Sequence, residues 1–203
     1  MAKMKNSVKR PPEVYLPEEI QRLIKACGKK SPSGIRNAAF IACCYGSGLR
    51  ISEALSLIPS DLDLTTGLLR VRHGKNDKYR TCGISPDCEK VLLIWMERRA
   101  GLGFSGRSPI FCGISINSWG TSLKDAYFRV ALPRIGRKAG IDKRIHCHGL
   151  RHSMATELSK EGVNLATISA QLGHSSIAIT DRYIKRIAPV ELANTMRSRN
   201  RLG

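Results

Sequence analysis

Along the first quarter of the chain, apolar residues recur at helical spacing. Ile20, Leu23, Ile24 and Cys27 share one face behind Pro17, and Gly28 follows them, which predicts a helix from Pro17 to about residue 27. A second apolar stretch predicts a helix over about 34–45. It ends in Gly46-Ser47-Gly48, where the chain must turn sharply, and a short helix follows from about Ile51 to Leu57. The period then changes. Leu68-Leu69-Arg70-Val71-Arg72 and Tyr79-Arg80-Thr81-Cys82-Gly83-Ile84 are β-rich runs flanking Gly74-Lys75-Asn76-Asp77-Lys78, the pattern of a hairpin. Ser85-Pro86 supplies a cap and an N1 proline for a long helix to about Arg99, with Val91, Leu92, Trp95 and Met96 as its apolar positions. Residues 100–120 are rich in Gly and Ser and read as a loop with one short apolar piece, Ile110-Phe111-Cys112. Helical patterns return at about 122–131, 148–161, 164–172, 176–184 and 189–199, separated by Pro133, Gly140, Gly162 and Gly173. The predicted fold class is mainly α with a small antiparallel β-sheet, and no shift in composition marks a second domain.

Charge narrows the partners. The 203 residues carry 34 Lys+Arg against 16 Asp+Glu, a formal +18, while 42% are hydrophobic and 25% charged. That is too apolar for a disordered basic tail and too basic for most globular domains, so a polyanion, nucleic acid first, is the expected partner. Arg36, Arg50, Glu53 and Asp61 interrupt the most apolar region, and no stretch approaches the roughly 18–20 apolar residues of a membrane span. MAKMKNSVKR is basic with no apolar run behind it and is not a secretory signal. A soluble, cytoplasmic protein is expected. The seven cysteines form no C-x-x-C pair, so neither a zinc ribbon nor a disulfide framework is indicated, and Cys27, Cys43 and Cys44 read as small core residues. His146-Cys147-His148 has no second cluster to complete four metal ligands, and no metal is expected.

Four local patterns could carry chemistry. In Gly48-Leu49-Arg50-Ile51-Ser52-Glu53 an arginine follows a glycine turn at a helix start, where its guanidinium and the free helix N–H groups could face one anion; an Arg50–Glu53 surface pair explains the same residues. His148-Gly149-Leu150-Arg151-His152 puts His148 and Arg151 three apart, suited to gripping a phosphate oxygen beside a proton carrier, or simply to a solvated face. Leu172-Gly173-His174 leaves a histidine in a turn, and nine residues later comes Tyr183, which alone would read as a packing tyrosine. The hairpin tip carries Lys75 and Lys78, as any surface turn could.

As a set, Gly-Leu-Arg-Ile-Ser-Glu, the Gly-Lys hairpin, His-Gly-Leu-Arg-His, Leu-Gly-His-Ser-Ser and Tyr183 resemble the tyrosine recombinases in order and spacing, from about Tyr15 to Lys185. The resemblance implies that family's α+β catalytic-domain fold and a site-specific DNA recombinase that cleaves and rejoins strands through a 3′-phosphotyrosine intermediate, without metal or nucleotide cofactor. It implies that Arg50 and Arg151 grip the scissile phosphate, that His148 belongs to the H-x-x-R box, that His174 fills the His/Trp position and that Tyr183 is the nucleophile. Lys75 matches the general-acid lysine, with Lys78 a competitor. Glu53 matches an acidic residue that buttresses the first arginine, and His152 the residue after the second. The implied partners are double-stranded DNA with inverted-repeat half-sites and a homo-oligomer, dimer to tetramer, on it. A type IB topoisomerase has a similar site, and a non-catalytic DNA-binding relative would share the charge.

The resemblance divides the chain into a basic flexible arm (1–14), a catalytic domain (15–187) and a C-terminal helix with a basic tail (188–203). The catalytic pattern begins near residue 15, which leaves no room for the helical DNA-clamping domain that precedes it in most members. The chain reads as a natural minimal recombinase, since it opens with Met and a basic arm, although a catalytic fragment would look the same. Val190, Ala193 and Met196 form an apolar stripe suited to docking on a neighbouring protomer, as the resemblance implies, or to packing on its own domain.

Overall fold

The computed structural model describes residues 13–72, 79–104 and 106–174. The hairpin tip with Lys75 and Lys78, Tyr183, the helices expected at 176–184 and 189–199, the arm up to residue 12 and the C-terminal segment lie outside the described residues.

Helix α2 (Pro32–Gly46) is the hub. Its residues from Ala38 to Cys44 are buried almost without interruption, because α1 (Pro17–Cys27), α4 (Pro86–Gly101) and α6 (Cys147–Lys160) all pack around it. It starts two residues before the apolar pattern does, since Ser31 caps it through the Gly34 N–H at 3.1 Å and Pro32 takes the first turn. Phe40 of α2 lies face to face with Phe128 and edge-on to Phe111, which places three aromatic rings at the centre of the core. On the other side of α2, α4 inserts Cys88, Leu92, Trp95 and Arg99 at helical spacing. The chain already joins the domain at Tyr15. Its N–H donates to the Ser153 hydroxyl at 2.7 Å and its own hydroxyl donates to the Arg144 carbonyl at 2.7 Å.

A three-stranded antiparallel sheet, β1 (Leu62–Asp63), β2 (Leu68–Val71) and β3 (Arg80–Gly83), stands at one side, with Leu69 opposite Cys82 and Val71 opposite Arg80. Leu69, Val71 and Cys82 point into the core, while Leu68 and Arg70 face solvent. The hairpin strands are as expected, and β1 is an addition: two residues are too few to carry a periodicity. Helix α3 (Ile51–Ser56) and helix α7 (Leu165–Leu172) border the sheet, and Gln171 ties α7 to it by accepting from the Gly83 N–H at 2.9 Å and donating to the Gly83 carbonyl at 2.8 Å.

Two expectations are corrected. Helix α5 (Asp125–Lys138) starts later than 122 and runs straight through Pro133. Its inner face, Phe128, Leu132 and Gly136, is buried over more than two turns, and that packing outweighs the hydrogen bond Pro133 cannot make; Arg129, whose carbonyl loses it, sits at the solvent surface. The stretch 100–120 is not merely a loop. Ile110, Phe111 and Cys112 have no exposed surface. Trp95 donates to the Ile110 carbonyl at 2.8 Å, and the Ile110 N–H donates to the Leu57 carbonyl at 2.7 Å. Two buried arginines hold the same stretch by its carbonyls, Arg36 at Cys112 (2.8 Å) and Arg99 at Ser108 (2.6 Å). The Gly/Ser content reflects the tight turns on either side of this inserted apolar triplet.

The cysteines behave as expected of core residues. All seven are free thiols; Cys43 and Cys44 are fully enclosed and Cys27 is half-buried. Burial pushes the thiols of Cys27, Cys82 and Cys147 up to about 12, which suppresses thiolate chemistry at neutral pH.

Candidate active site

The turn from α2 to α3 is built around Gly48. Its φ of +67° suits glycine, and a Cβ there would lie 2.0 Å from the Met154 Cε, so the turn closes directly onto α6. This turn delivers Arg50 as the N-cap of α3. Glu53, one turn on, reaches back: its Oε2 accepts the Arg50 backbone N–H at 2.8 Å and its Oε1 accepts the Arg50 guanidinium at 2.7 Å. The helix start is therefore already occupied by a carboxylate of its own rather than left open to an external anion. A third of the Arg50 side chain remains exposed, while Glu53 is 1% exposed.

Arg80, on β3, meets the same carboxylate from the opposite side with both Nη atoms at 2.8 Å. Arg151, on α6, is 4% exposed and lies 3.9 Å from Glu53 Oε2. It donates to the Gly48 carbonyl at 2.5 Å and to the Leu172 carbonyl at 2.6 Å, bridging the α2–α3 turn to the end of α7. Gly173 ends α7 in the left-handed region (φ +62°) and its carbonyl accepts from Arg50 at 3.4 Å. His174 follows directly. His148 enters from the second position of α6, whose N-cap is His146, with Nδ1 accepting the Gly149 N–H at 3.0 Å.

The structure thus brings together Arg50, Glu53, His148, Arg151 and His174 of the expected set. His152, next to Arg151, is buried within α6 with its Nδ1 3.3 Å from the Thr156 hydroxyl. Arg80 belongs to the constellation and was not among the expected residues. Its only signal in the sequence is an arginine near the start of a β-rich run, which by itself reads as a surface strand residue.

Three guanidiniums around one carboxylate leave this corner with a net charge of +2, and the field acts on its neighbours. Burial lowers the His174 imidazole, and Arg151, Arg50, Arg80 and His148 lower it further, to about 4. His148 is solvent-exposed as a residue, yet enclosure of its ring by protein, then Arg151, His146 and Arg50, hold it below the usual histidine value. Both are neutral at pH 7. Burial raises Glu53, but the hydrogen bonds and charge of Arg80 and Arg50 outweigh it and bring the carboxyl down to about 2.

These shifts predict how the domain responds to acid. Both groups bind protons more readily unfolded than folded, so stability is lost as pH falls. His174 acts between 6.5 and about 4, and Glu53 between 4.5 and about 2. The Glu53 share is on the order of 3 kcal/mol. Chemical denaturation of the protein and of Glu53→Gln from pH 7 to 2 checks it: the decline below pH 4.5 is expected to be smaller in the variant.

The sequence profile of the phage integrase family matches residues 13–188, most of the chain. The chain belongs to that family. Among its relatives, tyrosine recombinase XerC of Bacillus pumilus (strain SAFR-032) is 34% identical over 176 residues, which cover 86% of this chain and 57% of that protein. The chain therefore spans little more than half the length of this relative. Among solved structures, the XerA recombinase superposes with a TM-score of 0.78 at 28% identity, over 93% of this chain and 66% of that one. The site-specific recombinase XerH, in a pre-cleavage complex with its difH substrate, superposes with a TM-score of 0.70 at 28% identity, over 90% of this chain and 52% of that one. The mainly α fold with a small antiparallel sheet is thus that of a phage integrase family catalytic domain. Glu53 and Arg50 lie in the Gly-Leu-Arg-Ile-Ser-Glu segment and Arg151 in the His-Gly-Leu-Arg-His segment, while Arg80 belongs to neither. No helix among the described residues is long and apolar enough to cross a membrane.

Proposed function

We propose that this chain cleaves and rejoins DNA strands at specific sites by transient covalent attachment, acting in DNA integration, excision, inversion or resolution. The observation that carries the reading is the cationic corner in which Arg50 and Arg151 flank Glu53 beside two neutral imidazoles. A phosphodiester in attack gathers negative charge on its non-bridging oxygens, and fixed guanidiniums are suited to stabilise it without a metal ion. Tyr183 supplies the nucleophile. Its phenolic oxygen bonds to phosphorus, the bond to the 5′ oxygen breaks, neutral His148 takes the phenolic proton, and Lys75 or Lys78 protonates the departing 5′ oxygen. The phosphotyrosyl ester retains the energy needed for rejoining, so no nucleotide is required. His174 donates a hydrogen bond to the same phosphate, Glu53 holds Arg50, and His152 supports α6 from within.

The XerH structure, a relative bound to its DNA substrate, supports double-stranded DNA as the partner. In this reading inverted-repeat half-sites recruit a dimer to tetramer, residues 15–187 carry the chemistry, 1–14 form a basic arm, 188–203 dock between protomers, and the protein works in the cytoplasm.

The test is trapping. Incubated with a nicked duplex bearing paired repeats, in EDTA and without nucleotide, the protein is expected to form an adduct that survives denaturation. Relaxation of supercoiled DNA lacking any repeat would instead indicate a topoisomerase, and binding with no adduct a non-catalytic relative. Affinity should fall about 10³-fold or more between 50 and 200 mM salt, because a +18 chain touches several phosphates and releases their counterions. A salt titration by fluorescence anisotropy measures the slope, and a slope near zero would be incompatible with backbone recognition.

A further inference from the structure

We infer that Arg80 is a positioning residue for strand cleavage: it satisfies the Glu53 carboxylate from behind, so that Arg50 and Arg151 remain disposed toward a phosphate. The inference rests on the proposed cleavage activity and extends it to a residue outside the motif.

Glu53 is buried and negatively charged at the point where an incoming phosphate would bring another negative charge. Its pairing is dense. Oε1 accepts from Arg50 Nη1 at 2.7 Å and from Arg80 Nη1 at 2.8 Å; Oε2 accepts from the Arg50 N–H at 2.8 Å and from Arg80 Nη2 at 2.8 Å. Arg80 provides two of these four bonds, in the side-by-side geometry only a guanidinium can make. Without it, each oxygen of an enclosed carboxylate loses a donor, and the nearest replacement is Arg151, already 3.9 Å away. Arg151 and Arg50 would then be drawn onto Glu53 and away from substrate, and the unbalanced carboxylate would oppose the phosphate directly.

The surroundings hold Arg80 to this task. Its backbone is paired with Val71 in the sheet. Its stem lies flat beneath Gly173, where a Cβ would come within 2.6 Å of its Cδ and Nε, so the glycine that ends α7 and precedes His174 is shaped around it. The Nε is enclosed and has no hydrogen-bond partner among the described residues, while both Nη atoms are committed to Glu53. One side chain thus joins β3 to the arginine corner and to the turn that ends α7.

The experiment compares Arg80→Met, Arg80→Lys, Glu53→Gln and the double variant Arg80→Met/Glu53→Gln with the unaltered protein. It measures single-turnover cleavage on the nicked duplex at saturating protein, DNA affinity, and thermal melting, with all rates taken well below the melting midpoints. Arg80→Met is expected to slow cleavage about 100-fold with affinity changed less than about 3-fold. Arg80→Lys, which keeps the charge but not the fork, should recover less than about a tenth of the rate. Removing the stranded carboxylate in the double variant should raise cleavage about 10-fold over Arg80→Met, because the two residues act as a unit. If Arg80→Met does not fold, the double variant carries the test against Glu53→Gln, and equal rates are expected. A folded Arg80→Met that cleaves within 3-fold of the unaltered protein, or a double variant whose loss is the product of the single losses, would overturn the inference while leaving the cleavage reading intact. An unaltered protein that forms no adduct would overturn both.

Discussion

Tyr183→Phe is expected to bind DNA bearing the paired repeats as the unaltered protein does and to form no covalent adduct with it. The substitution removes one oxygen, the one that must bond to phosphorus, and leaves the aromatic ring. Binding depends on many backbone phosphates and on the charge of the whole chain, so the affinity and its salt slope should be unchanged. The rate has no such reserve. A phenol has a pKa near 10, and only a group held in line with the phosphate, in a positive field, becomes an effective nucleophile. The three guanidiniums around Glu53 provide a field of that sign, which adds to burial in lowering both histidines. Denaturing gels of the trapped reaction decide the matter: an adduct that persists in Tyr183→Phe, or that forms only with Mg²⁺, would remove the basis of the proposed chemistry.

The second large effect separates two arginines that the motif alone treats as equivalent. Arg50→Ala and Arg151→Ala should each lower cleavage by about 10²–10³-fold with little change in affinity, since in the proposed mechanism each contacts one phosphate among many but stabilises the reacting one. Their stabilities should diverge. Arg50 is one-third exposed, and Glu53 keeps both Arg80 bonds after its loss, so its alanine variant should melt close to the unaltered protein. Arg151 is buried and bonded to the Gly48 and Leu172 carbonyls. Its removal leaves two enclosed acceptors unpaired and loosens the turn that holds His174, a loss of about 2–4 kcal/mol. For a domain of this size that lowers the melting midpoint by roughly 4–16 °C. Calorimetry of the two variants side by side checks the difference; equal melting would mean that Arg151 is not the structural bridge its bonds describe.

How much of this was legible in the residues depends on what each element relies on. Helices α1, α4, α6 and α7 are bounded by local signals: Pro17 and Gly28, Ser85-Pro86, Gly162, and Asn164 with Gly173. Those ends follow the chain within a residue or two of expectation. Helix α5 and the Ile110-Phe111-Cys112 insertion are decided by packing against distant parts of the chain, Phe40, Trp95 and Leu57, which no window of sequence contains. The site divides the same way. Arg50, His148, Arg151 and His174 stand in recognisable local frames, each next to a glycine turn or a helix start. Arg80 does not, because its importance comes from a carboxylate 27 residues earlier in the chain that turns toward it only once the sheet and α3 are side by side. His152, next to Arg151 in sequence, is buried as Arg151 is, with its Nδ1 beside the Thr156 hydroxyl.

The bonds of Arg151 reach back 103 residues to Gly48 and forward 21 residues to Leu172. Bonds of such range require the loops between their ends to be closed, so the cationic corner needs the chain from Gly48 to Leu172 in place. A growing chain that has not yet delivered α7 has no partner for one of the two Arg151 bonds and no Gly173 carbonyl for Arg50. Its arginines are present but unaligned. Under the proposed reading, a phosphate can be gripped only once the chain has emerged through Gly173, and a chain that stops earlier carries these arginines without their alignment.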